Sequence, residues 1–266
     1  MSPQLVPQNP EAVMVIRTVC ENVVTCSVPF DRYGLIKFGG RATIVRLKSG
    51  SLVIFSPVAL TQSVRDTIEN LQGTVKYIIA PDLEHHIFLG EWKEAYPEVE
   101  IIAPEGLKEK REKDPKTKGV PIDYIFTAEN KNSLVISPEF EAEFDIEYIY
   151  AHPSREIVTY HRPTGTLIQA DLWFNPPAKE QYQKTKEGPS RGIWTKMFNA
   201  VMTTQGGQRR FIWYVLSGDN REAFKQSIVR IYGWDFDRMI PCHGDTVENG
   251  AKQQFRSLFE WFLLGQ

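Results

Sequence analysis

The residues able to do chemistry are few, and most fall in a recurring context. The chain holds five histidines: His85, His86, His152, His161 and His243. Four of them, all but His161, fall in a loop shortly after a predicted strand, where open α/β folds line their functional crevice. Asp82 and Glu84 precede the His85-His86 pair, Asp171 closes a predicted hairpin strand, and Glu156 follows His152 by four residues. Histidine nitrogens and carboxylate oxygens brought together from separate parts of a chain make a metal site. This donor set suits zinc, iron or manganese without choosing among them. Singly, each residue also has a plain structural reading. The histidine pair fits a surface loop, Asp171 fits a cap on the turn before Asn175-Pro176-Pro177, and His152 and His243 fit hydrogen-bonded loop histidines. Their joint placement carries the metal reading. His161, beside Arg162-Pro163, is expected to pack or hydrogen-bond near its turn, and Trp92 to lie in the core.

Strands must position these residues, and strand signals dominate the first half. Ala12–Val19 and Val23–Phe30 are rich in Val, Ile and Thr. Ala42–Leu47 and Ser51–Phe55 flank Lys48-Ser49-Gly50, a hairpin signal. Thr61–Leu71 has helical spacing, with a threonine start and Gly73 as stop. Val75–Ala80 is a short apolar run of the buried-strand kind. Phe88–Tyr96 and Pro104–Lys113 then read as helices around a strand at Val99–Ala103. Ile122–Phe126, Ser133–Ser137 and Ala142–Ile149 read as strands. Glu156–His161 and Thr166–Ala170 form a second hairpin around Arg162-Pro163-Thr164-Gly165. Residues 175–190 read as a polar loop. Helices are expected at Ile193–Met202, Arg221–Tyr232 and Ala251–Leu264, with a short strand at Met239-Ile240-Pro241 before Cys242-His243. Residues 1–11 read as a flexible tail and 12–266 as a single domain, with two sheets flanked by helices.

Bulk properties narrow the function classes. Hydrophobic residues make up 42% and charged residues 24% of the 266-residue chain, as in ordinary soluble proteins. A formal net charge of -2 leaves no electrostatic footprint for nucleic acid. The mixed run from Lys108 to Lys118 reads as a solvated loop. Three cysteines, Cys20, Cys26 and Cys242, do not make a disulfide framework and suit a reducing compartment. The N-terminus lacks a basic start followed by an apolar run, and no apolar run approaches a membrane span. The expected setting is cytoplasmic, with a small-molecule substrate, no nucleic acid and no membrane partner; a homo-oligomer is left open.

The order of these segments resembles the metallo-β-lactamase superfamily. That pattern is an apolar strand, a helix and a short strand running into T-H-x-H-x-D-H. A later histidine in a G-H-T loop, an aspartate after a hairpin strand and a final histidine complete it. Here SLVIFSPVAL (51–60), the helix and VKYIIA (75–80) follow in that order, and APDLEHH (80–86) falls on the histidine motif. AHPSREIVTYHRPTGTLIQAD (151–171) resembles the G-H-T loop, hairpin and aspartate, and IPCHGD (240–245) the last histidine segment. APDLEHHIFLGEW also resembles an uncharacterised branch, a domain-of-unknown-function family with P-N-x-x-H-H at this place.

The resemblance implies an α/β, four-layer αββα sandwich with two mixed sheets over nearly the whole chain. It also implies a damaged two-metal centre. Pro81 and Leu83 stand where the first two motif histidines belong, so His152 is left as the remnant of one site. The other site keeps a donor at every position, with His85 in place of an aspartate, beside His86, Asp171 and His243. One divalent ion is therefore expected, zinc foremost, with iron or manganese as alternatives. The metal set is His85, His86, Asp171 and His243, with His152, or else Glu156, as a further donor. A single ion with an open position would support hydrolysis of an ester, thioester, amide or lactone. His85 is expected to be either a ligand or a general base, with Asp82, Glu84 or Glu156 as the base if it is a ligand. Iron would open oxygen chemistry instead, and a third reading keeps the fold as a non-catalytic binding module. The stretch 173–213 carries Trp173, Phe174, Trp194, Met197, Phe198, Met202 and Trp213. An apolar lid over the site is one reading; a helix with an ordinary buried face is the preferred one.

Overall fold

The computed structural model describes residues 6–264. Thirteen strands form among the described residues: β1 (Val15–Cys20), β2 (Val23–Val28), β3 (Asp31–Arg32), β4 (Ile36–Lys37), β5 (Gly40–Arg46), β6 (Ser51–Phe55), β7 (Thr74–Ile79), β8 (Glu100–Pro104), β9 (Tyr124–Phe126), β10 (Phe144–Ile149), β11 (Glu156–His161), β12 (Thr166–Gln169) and β13 (Arg238–Pro241). One sheet has the order β1-β2-β5-β6-β7-β8-β9, a second has β10-β11-β12-β13, and β3-β4 is a small hairpin. The first sheet starts antiparallel and becomes parallel from β6 to β9. Parallel neighbours need crossovers. Helices Gln62–Asn70, Leu89–Ala95 and Leu107–Glu112 supply them.

The two-residue strand period splits the apolar side chains between separate layers. In β6 and β7, Leu52, Ile54 and Ile78 join the core under the crossover helices. Val53, Phe55, Tyr77 and Ile79 face the other way and meet Ile157 and Ile168 of the second sheet. The outer face of that sheet, with Val158 and Leu167, is covered by Phe224, Ile228 and Phe255 of helices Arg221–Tyr232 and Ala251–Leu258. Four layers, αββα, result. Burial of each such side chain contributes about 1.5–3 kcal/mol. Trp92 is fully buried, and its indole N–H donates to the Val58 carbonyl at 2.7 Å.

Several local expectations change. Ser133–Ser137 is not a strand: Ser137 instead caps a short helix, Pro138–Glu141, by accepting the Phe140 N–H. Of the expected tail, residues 1–5 lie outside the described residues. Pro10–Val13 is a short helix, and Glu11 accepts the Ser63 N–H. The left-handed residue after helix Gln62–Asn70 is Gln72, not Gly73. Gly73 is needed for close approach, since a Cβ there would come within 2.6 Å of the Gly50 carbonyl oxygen. The segment after residue 202, unassigned from sequence, forms helix Gly207–Phe211 and a π-turn over Ile212–Leu216.

The topology gathers one set of strand ends. β12 and β13 are parallel, so the loops after Gln169 and Pro241 leave at the same edge. β11 runs antiparallel to β12 and brings Glu156 to that edge. The loop after β7 joins them from the facing sheet, where Ile157 N–H donates to the Pro81 carbonyl at 2.6 Å.

Candidate metal centre

The loop after β7 is built around Asp82, whose side chain is fully buried. Its Oδ1 accepts the backbone N–H groups of Glu84 and His85 at 2.7 and 2.8 Å. His85 Nδ1 lies 2.9 Å from both carboxylate oxygens. An ionised carboxylate only accepts, so Nδ1 carries a proton, and in the neutral ring the Nε2 lone pair faces the cleft. Burial opposes a charge on this ring, but Asp82 outweighs it and raises the His85 pKa to about 9.

His243 is fixed from the opposite side in the same way. Its Nδ1 donates to the Gly39 carbonyl at 2.6 Å, which leaves Nε2 unprotonated in the neutral ring. The surrounding loop is tied down by Arg41 of β5, which is 2% exposed. Arg41 Nη1 donates to the Pro241 and Gly244 carbonyls, each at 2.7 Å, and Nη2 pairs with Glu180 at 3.2 Å. Gln181 donates to the intervening Cys242 carbonyl at 2.9 Å. Gly244 is obligatory: its φ is +93°, and a Cβ would fall 2.1 Å from the Asn175 carbonyl oxygen. Phe174 stacks on the His243 ring at 5.6 Å, with Phe38 tilted against it at 5.4 Å.

The two Nε2 atoms meet at 3.1 Å, and Asp171 Oδ1 lies 3.2 Å from His243 Nε2. Ligand atoms of His85, Asp171 and His243 all lie within 4.8 Å of one another. Burial opposes ionisation of Asp171, yet positive charge on the adjacent His243 and His85 rings, present when each also carries a proton on Nε2, holds its carboxyl well below the usual range. Two imidazole lone pairs at 3.1 Å repel unless a cation lies between them, a proton or a metal. Donors on a four-coordinate metal at about 2.0–2.1 Å stand roughly 3.3 Å apart. The donor set therefore fits one divalent ion, and three protein ligands leave a position open, as catalytic sites do. Each histidine also has the outer partner, carboxylate or carbonyl, that fixes metal-binding tautomers.

The other named residues fall outside this trio. His86 turns from its neighbour: Arg111 Nη1 donates to its Nδ1 at 3.2 Å and to its carbonyl at 2.6 Å. Burial, with the Arg111 and Lys110 charges, lowers the His86 pKa to about 4. His152 lines the same cleft, but its Nδ1 accepts the Ser154 N–H at 3.2 Å, so its Nε2 carries the proton. That buried Nε2 has no hydrogen-bond partner among the described residues, and Glu156 Oε2 is 4.0 Å away. Glu156 spends both oxygens on the Ala170 and Asp171 N–H groups, at 2.8 and 3.0 Å, and so shapes the Asp171 turn. Glu84 sits at the rim, paired with Lys110 at 2.7 Å. His161 is remote, with Nδ1 2.8 Å from Thr164 Oγ1 and its ring against Phe144. The sequence reading missed Arg41, Gly39 and Phe38. Arg41 carried a signal: strand alternation puts it on the inter-sheet face with Thr43 and Val45, where a charge needs partners.

Above the trio lies a cleft of about 690 Å³ with mostly apolar walls, among them Phe30, Phe38, Phe174, Phe198 and Met202. Helix Ile193–Val201 forms part of that wall, but it is not the expected helix with an ordinary buried face. Thr195 is its one buried residue, while Ile193 and Trp194 are 66% and 53% exposed.

A family described as a domain of unknown function, DUF4336, matches residues 35–186. The chain belongs to this family. The matched span includes Asp82, His85, His152 and Asp171; His243 lies beyond it. No curated protein matches the chain. Among solved structures, it resembles the DIM-1 metallo-β-lactamase exposed to ceftazidime, with a TM-score of 0.59 at 14% identity, covering 97% of this chain and 99% of that one. It resembles a metallo-β-lactamase from Pontibacter korlensis with a TM-score of 0.58 at 12% identity, over 93% and 99% of the two chains. It also resembles the metal-soaked Flv1 flavodiiron core from Synechocystis sp. PCC6803, with a TM-score of 0.64 at 15% identity, over 94% of this chain and 61% of that one. The fold of this family member is that of the metallo-β-lactamases. No helix among the described residues is long and apolar enough to cross a membrane.

Proposed function

We propose that the chain is a metal-dependent hydrolase acting on a carboxylic acid derivative, an ester, thioester, amide or lactone, with a large apolar part. The observation that carries this reading is the 3.1 Å approach of the His85 and His243 Nε2 atoms, each with its Nδ1–H already engaged. His85, Asp171 and His243 are the residues that would hold one divalent ion, with zinc first and iron or manganese as alternatives. Such an ion supplies hydroxide at neutral pH and polarises a carbonyl.

The chain's own residues set the rest. Asp82 and the Gly39 carbonyl orient the two rings, so the donors need little rearrangement. As a ligand, His85 does not serve as the general base, and Asp82 is committed to orienting it. His152 lines the cleft and keeps a proton on its buried, unpartnered Nε2, which in this reading donates a hydrogen bond to a substrate oxygen. Phe30, Phe38 and Phe174 keep water from the His243 side and receive the apolar part of the substrate.

The test is metal analysis of untagged protein, followed by turnover of acyl esters and thioesters from acetyl to dodecanoyl. One metal per chain and turnover that rises with acyl length are expected. No metal after reconstitution with zinc, iron and manganese would sink the reading. Bound iron with oxygen uptake and no acyl turnover would replace the hydrolase with an oxidoreductase.

A further inference from the structure

Helix Ile193–Val201 is amphipathic in the reverse sense. Surface helices usually turn their apolar stripe to the core. Here Ile193, Trp194, Met197 and Val201 share one arc of the helix, and each is more than half exposed. The opposite arc holds the helix to the protein. Thr195 Oγ1 accepts the Lys37 N–H at 3.2 Å and donates to the Leu35 carbonyl at 3.3 Å, and Phe198 stacks on Phe38 at 4.7 Å. The β3-β4 hairpin beside it extends the apolar surface with Tyr33 and Leu35, 65% and 55% exposed. Tyr33 and Phe198 also line the cleft, so the exposed surface runs into the walls above the metal donors.

We infer that this face docks on an anionic lipid bilayer, from which an amphiphilic substrate passes into the cleft. Charge selects the occupant. The chain as a whole has a formal net charge of -2, yet residues 188–218 contain no acidic residue and carry four cations: Arg191 and Arg209, ion-paired to Glu187 and Glu260, and Lys196 and Arg210. Lys196 lies on the helix itself, and neither it nor Arg210 makes an ion pair among the described residues. Trp and aliphatic side chains flanked by cations are the composition that settles a helix in the headgroup boundary of an anionic membrane. The expectation of no membrane partner rested on the lack of a spanning segment, and an interfacial helix needs none. The docking does not depend on the hydrolase reading.

The experiment is co-sedimentation of the metal-loaded protein with phosphatidylcholine vesicles, with and without phosphatidylglycerol. Binding is expected to the anionic vesicles, to weaken with added salt, and to fall about tenfold or more in Trp194→Glu/Met197→Glu. Lys196→Glu/Arg210→Glu should weaken it several-fold. All of these variants should still bind one metal, which separates lost docking from lost folding. Wild-type protein that stays in the supernatant with both vesicles overturns the inference, as does equal binding to both. A dimer that Trp194→Glu/Met197→Glu converts to monomer also overturns it, because a second copy would then be the occupant. His243→Ala should leave vesicle binding unchanged. A negative vesicle result leaves the metal-site reading standing, and a missing metal leaves the docking standing.

Discussion

The two halves of the cleft floor use the same residue types to opposite ends. In the half formed by His85, Asp171 and His243, each imidazole has its Nδ1–H held from behind and, when neutral, its Nε2 lone pair presented to the other. In the half around His152 and Glu156, the Nδ1 accepts a backbone N–H and both carboxylate oxygens accept backbone amides. The first half offers lone pairs and the second offers an N–H. The difference lies in the group behind each ring, not in the ring.

The largest effect expected on this contrast comes from removing a donor. His243→Ala or Asp171→Ala should abolish metal binding at micromolar metal, a loss beyond the roughly 100-fold that an outer partner costs. Calorimetric titration with zinc checks this, and retention of one equivalent by both variants would break the comparison. Asp82→Asn removes the carboxylate behind His85 and should cost roughly 10–100-fold in metal affinity. In chelator-treated protein, the His85 pKa of about 9 lies above the ordinary imidazole value of 6.5. Its stabilising contribution is present below pH 6.5 and lost as pH rises through about 9, on the order of a few kcal/mol. Denaturation of metal-free protein across this range should show that slope in the wild type, flattened in Asp82→Asn. Glu156→Gln leaves one of two backbone amides without an acceptor and should cost about 1–3 kcal/mol, read as a lower denaturant midpoint. Smallest in binding, His152→Ala should keep one metal per chain, with its loss confined to turnover. Lost metal in this variant would make His152 a ligand and erase the contrast between the halves.

Much of the scaffold was legible because strand periodicity is local. Leu52-Val53-Ile54-Phe55 alternates between two cores as its pattern states, and Glu156–His161 forms with the expected boundaries. Ser133–Ser137 misled because its apolar run, Leu134, Val135 and Ile136, precedes a capped helix instead of joining a ladder. The Ile193–Val201 stripe was visible, but spacing shows only that a stripe exists, not which side the protein occupies. Adjacent His85 and His86 were read together as donors. In an irregular loop nothing local separates them; Asp82 draws one ring into the cleft, and Arg111, 25 residues later on helix Leu107–Glu112, holds the other.

The sequence by itself determined the layers and the identities of the residues near the site, because side-chain alternation and the order of strands and helices are properties of neighbours along the chain. Only the tertiary structure decided which of those residues face one another across the cleft. That choice depends on tautomer and direction, and these are set by Gly39, Arg41, Asp82 and Ser154, groups that reach the rings through folding rather than through spacing.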